Sequence, residues 1–175
     1  MTSKSVDEVS GSAAHGVFLF FLLFGLWLLL TGSVDPEELI AGLLVALTVT
    51  LISRPHLAIF NGLRLTPGAI PAFLSYLGYF LVALVRANVD VARRVLSPTL
   101  PLHPALVEVT TQLQSPLGRL ILANSVTLTP GTLTVDVRED RLFIHWIDAP
   151  PGIDIEGATR EITSKFEHHL KGFVK

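Results

Sequence analysis

The stretch GVFLFFLLFGLWLLLTGSV, Gly16 to Val34, carries no charge and constrains this chain more than any other feature. As a helix its 19 residues reach roughly 28 Å, close to the thickness of a hydrocarbon core. The alternative is a cleaved signal peptide. Against it, the preceding MTSKSVDEVS has one lysine and two acids, where a signal peptide starts positive. Composition agrees with membrane insertion: half the residues are hydrophobic and 16% are charged, against about 25% in an average soluble domain.

Two more apolar segments follow. LIAGLLVALTVTLIS, Leu39 to Ser53, is short for a full span. It is preceded by Asp35-Pro36-Glu37-Glu38, which supplies an N-cap, a proline at the first helical position and acids at the positive end of the dipole. The short connection TGSVDPEE predicts a tight helical hairpin. The third segment, GAIPAFLSYLGYFLVALVRA, starts at Gly68. Its Tyr76 and Tyr79 suit an interfacial level only if the helix is tilted or shielded.

Charge leaves the topology open. If all three segments span, Lys4, Arg54 and Arg64 lie on one side and Arg86, Arg93 and Arg94 on the other, a tie under the positive-inside rule. A short early helix that does not fully cross would break the tie. Arg86, Asp90, Arg93 and Arg94 form a charged end to the third helix, and Arg86, Asp90 and Arg94 stack plus, minus, plus at four-residue spacing. They read as membrane-interface charges, either contacting headgroups or a charged partner, or as an ordinary helix end. Small residues recur at the same spacing, Gly42 with Ala46, Gly68 with Ala72 and Ala83 with Ala87, which lets helices approach closely in lipid. No Asp, Glu, Lys, Arg or His sits in the middle of an apolar segment. Proton and ion paths need such residues, so this chain alone is a poor transporter.

The remainder is a small α+β domain. SPTLPLHP holds three prolines and predicts an extended linker over 98–104. Val107, Val109 and Leu113 alternate with polar residues as a half-buried strand. Ser115-Pro116 caps a short helix expected to end near Asn124-Ser125. TPGT is a turn in which Pro130 fixes φ and Gly131 adopts a positive φ. LTVDV is a strand with Leu133, Val135 and Val137 on one face, REDR a charged hairpin turn, and LFIHWI a third strand, apolar on both faces apart from His145. From Asp154 onward, Ile155, Ala158, Ile162, Phe166, Leu170 and Phe173 recur at helical spacing. The order βαββα predicts a sheet with two helices on one face, a reduced ferredoxin-like unit. The expected organisation is a tail over 1–15, membrane helices within 16–97 (about three, near 16–34, 37–53 and 68–92), the linker, and the α+β domain over 105–175.

No active site emerges. The chain lacks cysteine, which excludes disulfides, a thiol nucleophile and Cys-type metal sites. A net charge of −2 leaves no basic footprint for nucleic acid. His145 lacks convergent partners, and the adjacent His168 and His169 point in different directions on a helix. His56 and His103 are loop residues beside prolines. The hydroxyls of Ser125, Thr127, Thr129, Thr132 and Thr134 satisfy backbone groups around the turn. No cofactor motif and no phosphate loop is present.

The run LANSVTLTPGTLTVDV, residues 122–137, resembles the hallmark segment of the E subunit of Mrp-type (Mnh, Pha) multisubunit cation/proton antiporters. FGLWLLLTGS and the short second helix resemble that family's N-terminal hairpin. The resemblance covers essentially the whole chain. It makes Asn124, Ser125, Thr127, Thr129, Pro130, Gly131 and Thr132 the structural turn of the family motif. It implies a non-enzymatic subunit of a sodium/proton antiporter in the bacterial cytoplasmic membrane, multi-pass, with a cytoplasmic C-terminal domain. Its partners would be large antiporter-like A and D chains, small B, C, F and G chains, and lipid. It also implies that Arg86, Arg93 and Arg94 face inward. Related E-like subunits of membrane-bound hydrogenase complexes are the alternative context, and a stand-alone membrane-anchored binding module is the other.

Overall fold

A computed structural model describes residues 3–54, 60, 62–98 and 102–175, with side chains from residue 13 onward. His56 and residues 99–101 of the expected linker lie outside the described residues. The chain divides into two compact units, Met1–Asn61 and Gly62–Lys175.

The first unit is a helical hairpin of α1 (Ser3–Thr31) and α2 (Pro36–Ile52). Asp35 occupies the N-cap position of α2 with extended backbone, and Pro36 takes the first helical position. The cap bond is not made, because the Asp35 carboxylate accepts from Ser33 Oγ at 2.8 Å instead. Gly42, Ala46 and Thr50 are the buried residues of α2 and form one stripe at four-residue spacing. At Gly42 the backbone approaches Trp27 so closely that a Cβ would lie 2.6 Å from Trp27 Cδ1. Small residues at this spacing let two helices gain van der Waals contact where lipid offers no hydrophobic drive.

The second unit holds α3 (Ala69–Val95), β1 (Ala105–Thr110), α4 (Pro116–Leu128), β2 (Thr132–Arg138) and β3 (Arg141–Trp146). A last helix closes it. It is α-helical over α5 (Ile155–Ala158) and α6 (Ser164–Leu170), joined by a π-helical turn over Thr159–Thr163. The strands form one antiparallel sheet in the order β1-β3-β2. Helices α4 and α5–α6 cover one face, and the core lies between. Val107, Val109, Leu142 and Ile144 from the sheet meet Leu122, Val126, Ile162, Phe166 and Leu170 from the helices. The α+β fold expected from the pattern is the one formed.

Three local features differ from the sequence reading. Helix α4 runs on to Leu128, past Asn124-Ser125. Burial explains this, since Ser125 and Val126 are both almost fully inaccessible and extend the core-facing stripe of Leu122 and Ala123. Strand β2 does not keep Leu133, Val135 and Val137 on one face. Leu133 stands opposite the exposed His145, whereas Val137 stands opposite the buried Leu142, with the register shifting between Thr134 and Asp136. The extra residue of this bulge is Val135, and one extra residue reverses the alternation beyond it.

The third difference concerns α3, which belongs with the sheet by its contacts. Ala69, Ala72, Tyr76, Tyr79, Phe80 and Ala83 pack against the α+β core. Rings do much of the joining: Phe73 and Tyr76 meet Phe173 with centroids 5.5 Å away, and Tyr79 meets Phe166 at 5.1 Å. Two described helices are long and apolar enough to cross a membrane, α1 over Ala13–Thr31 and α3 over Ala69–Val95.

Candidate functional site

The motif segment is built from its hydroxyls. Ser115 caps α4 by accepting from Gly118 N at 3.0 Å, with Pro116 behind it. At the other end, Thr129–Thr132 forms the turn expected there, with the positive φ at Gly131 that marks type II. Thr132 N donates to Thr129 O at 3.3 Å, and Gly131 has φ +96°. The turn is also tight against β3: Ile147 N donates to Gly131 O at 2.9 Å, and a Cβ on Gly131 would lie 3.2 Å from Ile147 Cγ2.

The neighbouring hydroxyls close the backbone accounts of the helix end and of the β2 edge. Thr129 Oγ1 donates to Ser125 O at 2.8 Å and Thr132 Oγ1 to Val126 O at 2.7 Å. Thr127 Oγ1 accepts from Thr134 N at 3.1 Å, and Thr134 Oγ1 donates to Ala123 O at 3.0 Å. The last carbonyls of a helix and the outer amides of an edge strand otherwise lack partners. Thr127, Thr132 and Thr134 therefore stitch α4 to β2, and Thr129 closes the helix end. Ser125 does more: its Oγ lies 2.6 Å from Ile121 O and 2.7 Å from Tyr76 Oη, which ties the motif to α3. Asn124 is exposed and makes none of these contacts.

A second cluster lies beside the turn. Arg94 Nε donates to Asp90 Oδ2 at 2.7 Å, and Arg94 Nη1 pairs with Asp148 Oδ2 just beyond β3. The other Asp148 oxygen is 2.8 Å from His103 Nδ1, and His103 O accepts from Ala149 N at 3.0 Å. The His103 hydrogen bond, then that of Arg94, holds the Asp148 carboxyl below the usual carboxylate range. A cavity of about 210 Å³ opens here, lined among others by Tyr79, Asp90, Arg94, Gly131, Asp148 and Glu161. Of the four residues expected at a membrane interface, Arg94 thus reaches the sheet and is half-buried between Asp90 and Asp148, while Arg86, Asp90 and Arg93 are exposed. The sequence gives no sign of this cluster. Asp148 stands 54 residues from Arg94 and 45 from His103, and no short-range pattern links them.

The remaining candidates stay apart. His145 is exposed on the sheet's outer face, opposite Leu106 and Leu133. His169 stacks on Tyr79 at 4.9 Å and lies 3.0 Å from Ser75 Oγ. Glu167 is buried and accepts from Thr111 Oγ1 at 2.8 Å, pinning α6 to the loop after β1. Among the described residues no group of three or more metal-ligating side chains converges.

A chain with apolar helices free of mid-span charge and a small sheet unit matches a known family. The model described as Na+/H+ ion antiporter subunit matches residues 20–172. The chain belongs to this antiporter-subunit family. The E subunit of the Na(+)/H(+) antiporter of Alkalihalophilus pseudofirmus is 30% identical over 164 residues, covering 93% of this chain and 99% of that one. The E1 subunit of the Na(+)/H(+) antiporter of Staphylococcus saprophyticus is 34% identical over 134 residues, covering 75% and 81%. Among solved structures, a chain of the membrane-bound sulfane sulfur reductase, an archaeal respiratory membrane complex, is 41% identical with a TM-score of 0.80. That match covers 90% of this antiporter-family chain and 97% of the other. The family is one of antiporter subunits, and this chain combines apolar helices with a small α+β unit.

Proposed function

We propose that this subunit is non-catalytic and serves assembly: it holds a multisubunit cation/proton antiporter together in the cytoplasmic membrane, with its α+β unit on the cytoplasmic side. The observation that carries this reading is chemical. Between Gly16 and Val34, Leu39 and Ser53, and Gly68 and Val85 there is no ionisable side chain other than the tyrosines, so this chain offers no relay for a proton or cation. Its polar clusters are spent on fastening its own elements. The partners are the large antiporter-like A and D chains and the small B, C, F and G chains.

The test is purification of the tagged full chain in mild detergent. Large antiporter-like chains should co-purify, and His145→Ala should leave antiport intact in assembled complexes. Recovery of the chain alone would sink the assembly role, and loss of transport in fully assembled His145→Ala complexes would sink the non-catalytic one. The 41% identity to a chain of a sulfur-reducing respiratory complex favours a second reading, in which the same subunit serves a redox-linked membrane complex. Redox-protein subunits in the purified assembly would select it.

A further inference from the structure

We propose that α3 does not cross the bilayer but lies in the plane of its surface, its outer face immersed in lipid. The reading rests on the family's membrane location and is independent of which complex the chain joins.

Helix α3 is fastened to the sheet unit along its whole length. Contacts begin at Ala69 and Ala72, continue through Tyr76, Tyr79, Phe80 and Ala83, and end at Arg94 on Asp148. From Ala69 to Arg94 is roughly 38 Å at 1.5 Å per residue, so no stretch is left over to span on its own. The half-buried positions recur at helical spacing, Ala72, Tyr76, Tyr79, Ala83, Ala87 and Arg94. Crossing would drag the attached elements into hydrocarbon. They carry Arg160, Glu161, Lys165 and Lys171 at exposed positions, and charges at bilayer depth are costly.

The opposite face is what lipid requires. Ile70, Leu74, Leu81 and Val85 are each more than half exposed, and Leu77, Val82 and Val89 continue the same surface. Arg86 and Arg93 are exposed seven residues apart on one margin of this face, where a guanidinium reaches anionic headgroups while its stem stays among apolar atoms. An apolar face, a margin of arginine and a second face already occupied describe an interfacial helix. A helix of another subunit would cover the apolar face too, but it gives the arginine margin no role.

The chain has no cysteine, so single cysteines report without background. Full-length protein carrying Ile70→Cys, Leu77→Cys, Leu81→Cys or Val85→Cys would be spin-labelled and placed in phosphatidylcholine–phosphatidylglycerol vesicles. Leu22→Cys in α1 serves as the deep control. The expected result is one shallow depth for all four α3 labels, about 5–10 Å below the headgroups. Depth reaching that of Leu22 near Leu81 and falling on either side would overturn the proposal in favour of a span. Labels exposed to water in vesicles would overturn it in favour of a protein partner. In oriented native membranes, Leu65→Cys and Leu96→Cys flank α3 and should react with an impermeant maleimide from the same side. Reaction from opposite sides would overturn the proposal as well.

Discussion

Helix α2 meets α1 through close backbone approach, whereas α3 meets the sheet unit through rings and hydroxyls. In the hairpin, Gly42, Ala46 and Thr50 present almost no side chain, and Trp27 fills the space above Gly42. In the second unit, Tyr76 reaches Ser125 by a hydrogen bond and Tyr79 lies edge-on to Phe166. Length and apolar composition do not separate the two environments, since α1 and α3 are both long and apolar enough for a span. The difference teaches that an apolar helix is defined by what its faces meet. A helix that meets only lipid and a like helix needs small residues at the contact. One that covers a folded core needs rings, with polar tips that find partners.

Each unit carries one of the two tryptophans, Trp27 in the hairpin and Trp146 in the sheet unit. Trp27→Phe and Trp146→Phe backgrounds therefore let fluorescence follow the units separately. The largest effect is expected from Phe166→Ala, which removes a buried ring shared by the core and α3. It should destabilise the sheet unit by about 3–5 kcal/mol. The Trp146 melting transition should fall sharply while Trp27 emission holds. Equal losses at both tryptophans would break the distinction between the units.

Gly42→Val does the reverse. Its Cβ has no room beside Trp27, and overpacking costs about 1–3 kcal/mol. Trp27 emission should shift in detergent while the Trp146 transition stays in place. Gly131→Val comes next. A β-branched residue at φ +96° resists that backbone by about 1–2 kcal/mol, and Ile147 crowds the new side chain. The sheet unit should melt earlier and co-purify less with partner subunits, while α1 and α2 still insert. Wild-type assembly of Gly131→Val would mean the motif's turn is not what shapes the docking unit.

The smallest effect is Asp148→Asn, and it depends on pH. The folded carboxyl titrates below its ordinary value because His103 and Arg94 favour the ionised form. A depressed carboxylate pKa contributes stability that is present above the unfolded value, about 3.9, and is lost as pH falls through the folded value. At pH 7 the variant should therefore melt below wild type by less than Gly131→Val does. The gap should close as pH drops from about 4. A gap unchanged at acidic pH would mean the aspartate acts by packing and not by charge.

Much of the sheet unit was legible because its signals are local. Ser115-Pro116 starts α4, Pro130-Gly131 makes the type II turn, and β2 and β3 pair across the REDR hairpin, where Glu139 takes φ +51°. Each depends on backbone preferences within a few residues. The periodic apolar residues of the last helix reach the core for the same reason, since helical spacing alone puts Ile162, Phe166 and Leu170 on one side. What lay beyond local reach is equally specific. A bulge at Val135 reverses a face that simple alternation keeps constant. The end of α4 moved because burial of Val126 outweighs the weak helix preference of Asn124 and Ser125.

The sequence by itself determined three apolar helical segments, a βαββ-helix order, the family and the absence of any Asp, Glu, Lys, Arg or His in the middle of an apolar segment. These follow from composition, periodicity and motif, which are properties of neighbours along the chain. Only the tertiary structure decided that α3 belongs to the sheet unit, that Arg94 reaches Asp148, and that Ser125 meets Tyr76. Those facts rest on pairs some fifty residues apart, and such pairs exist only once the core between them has formed.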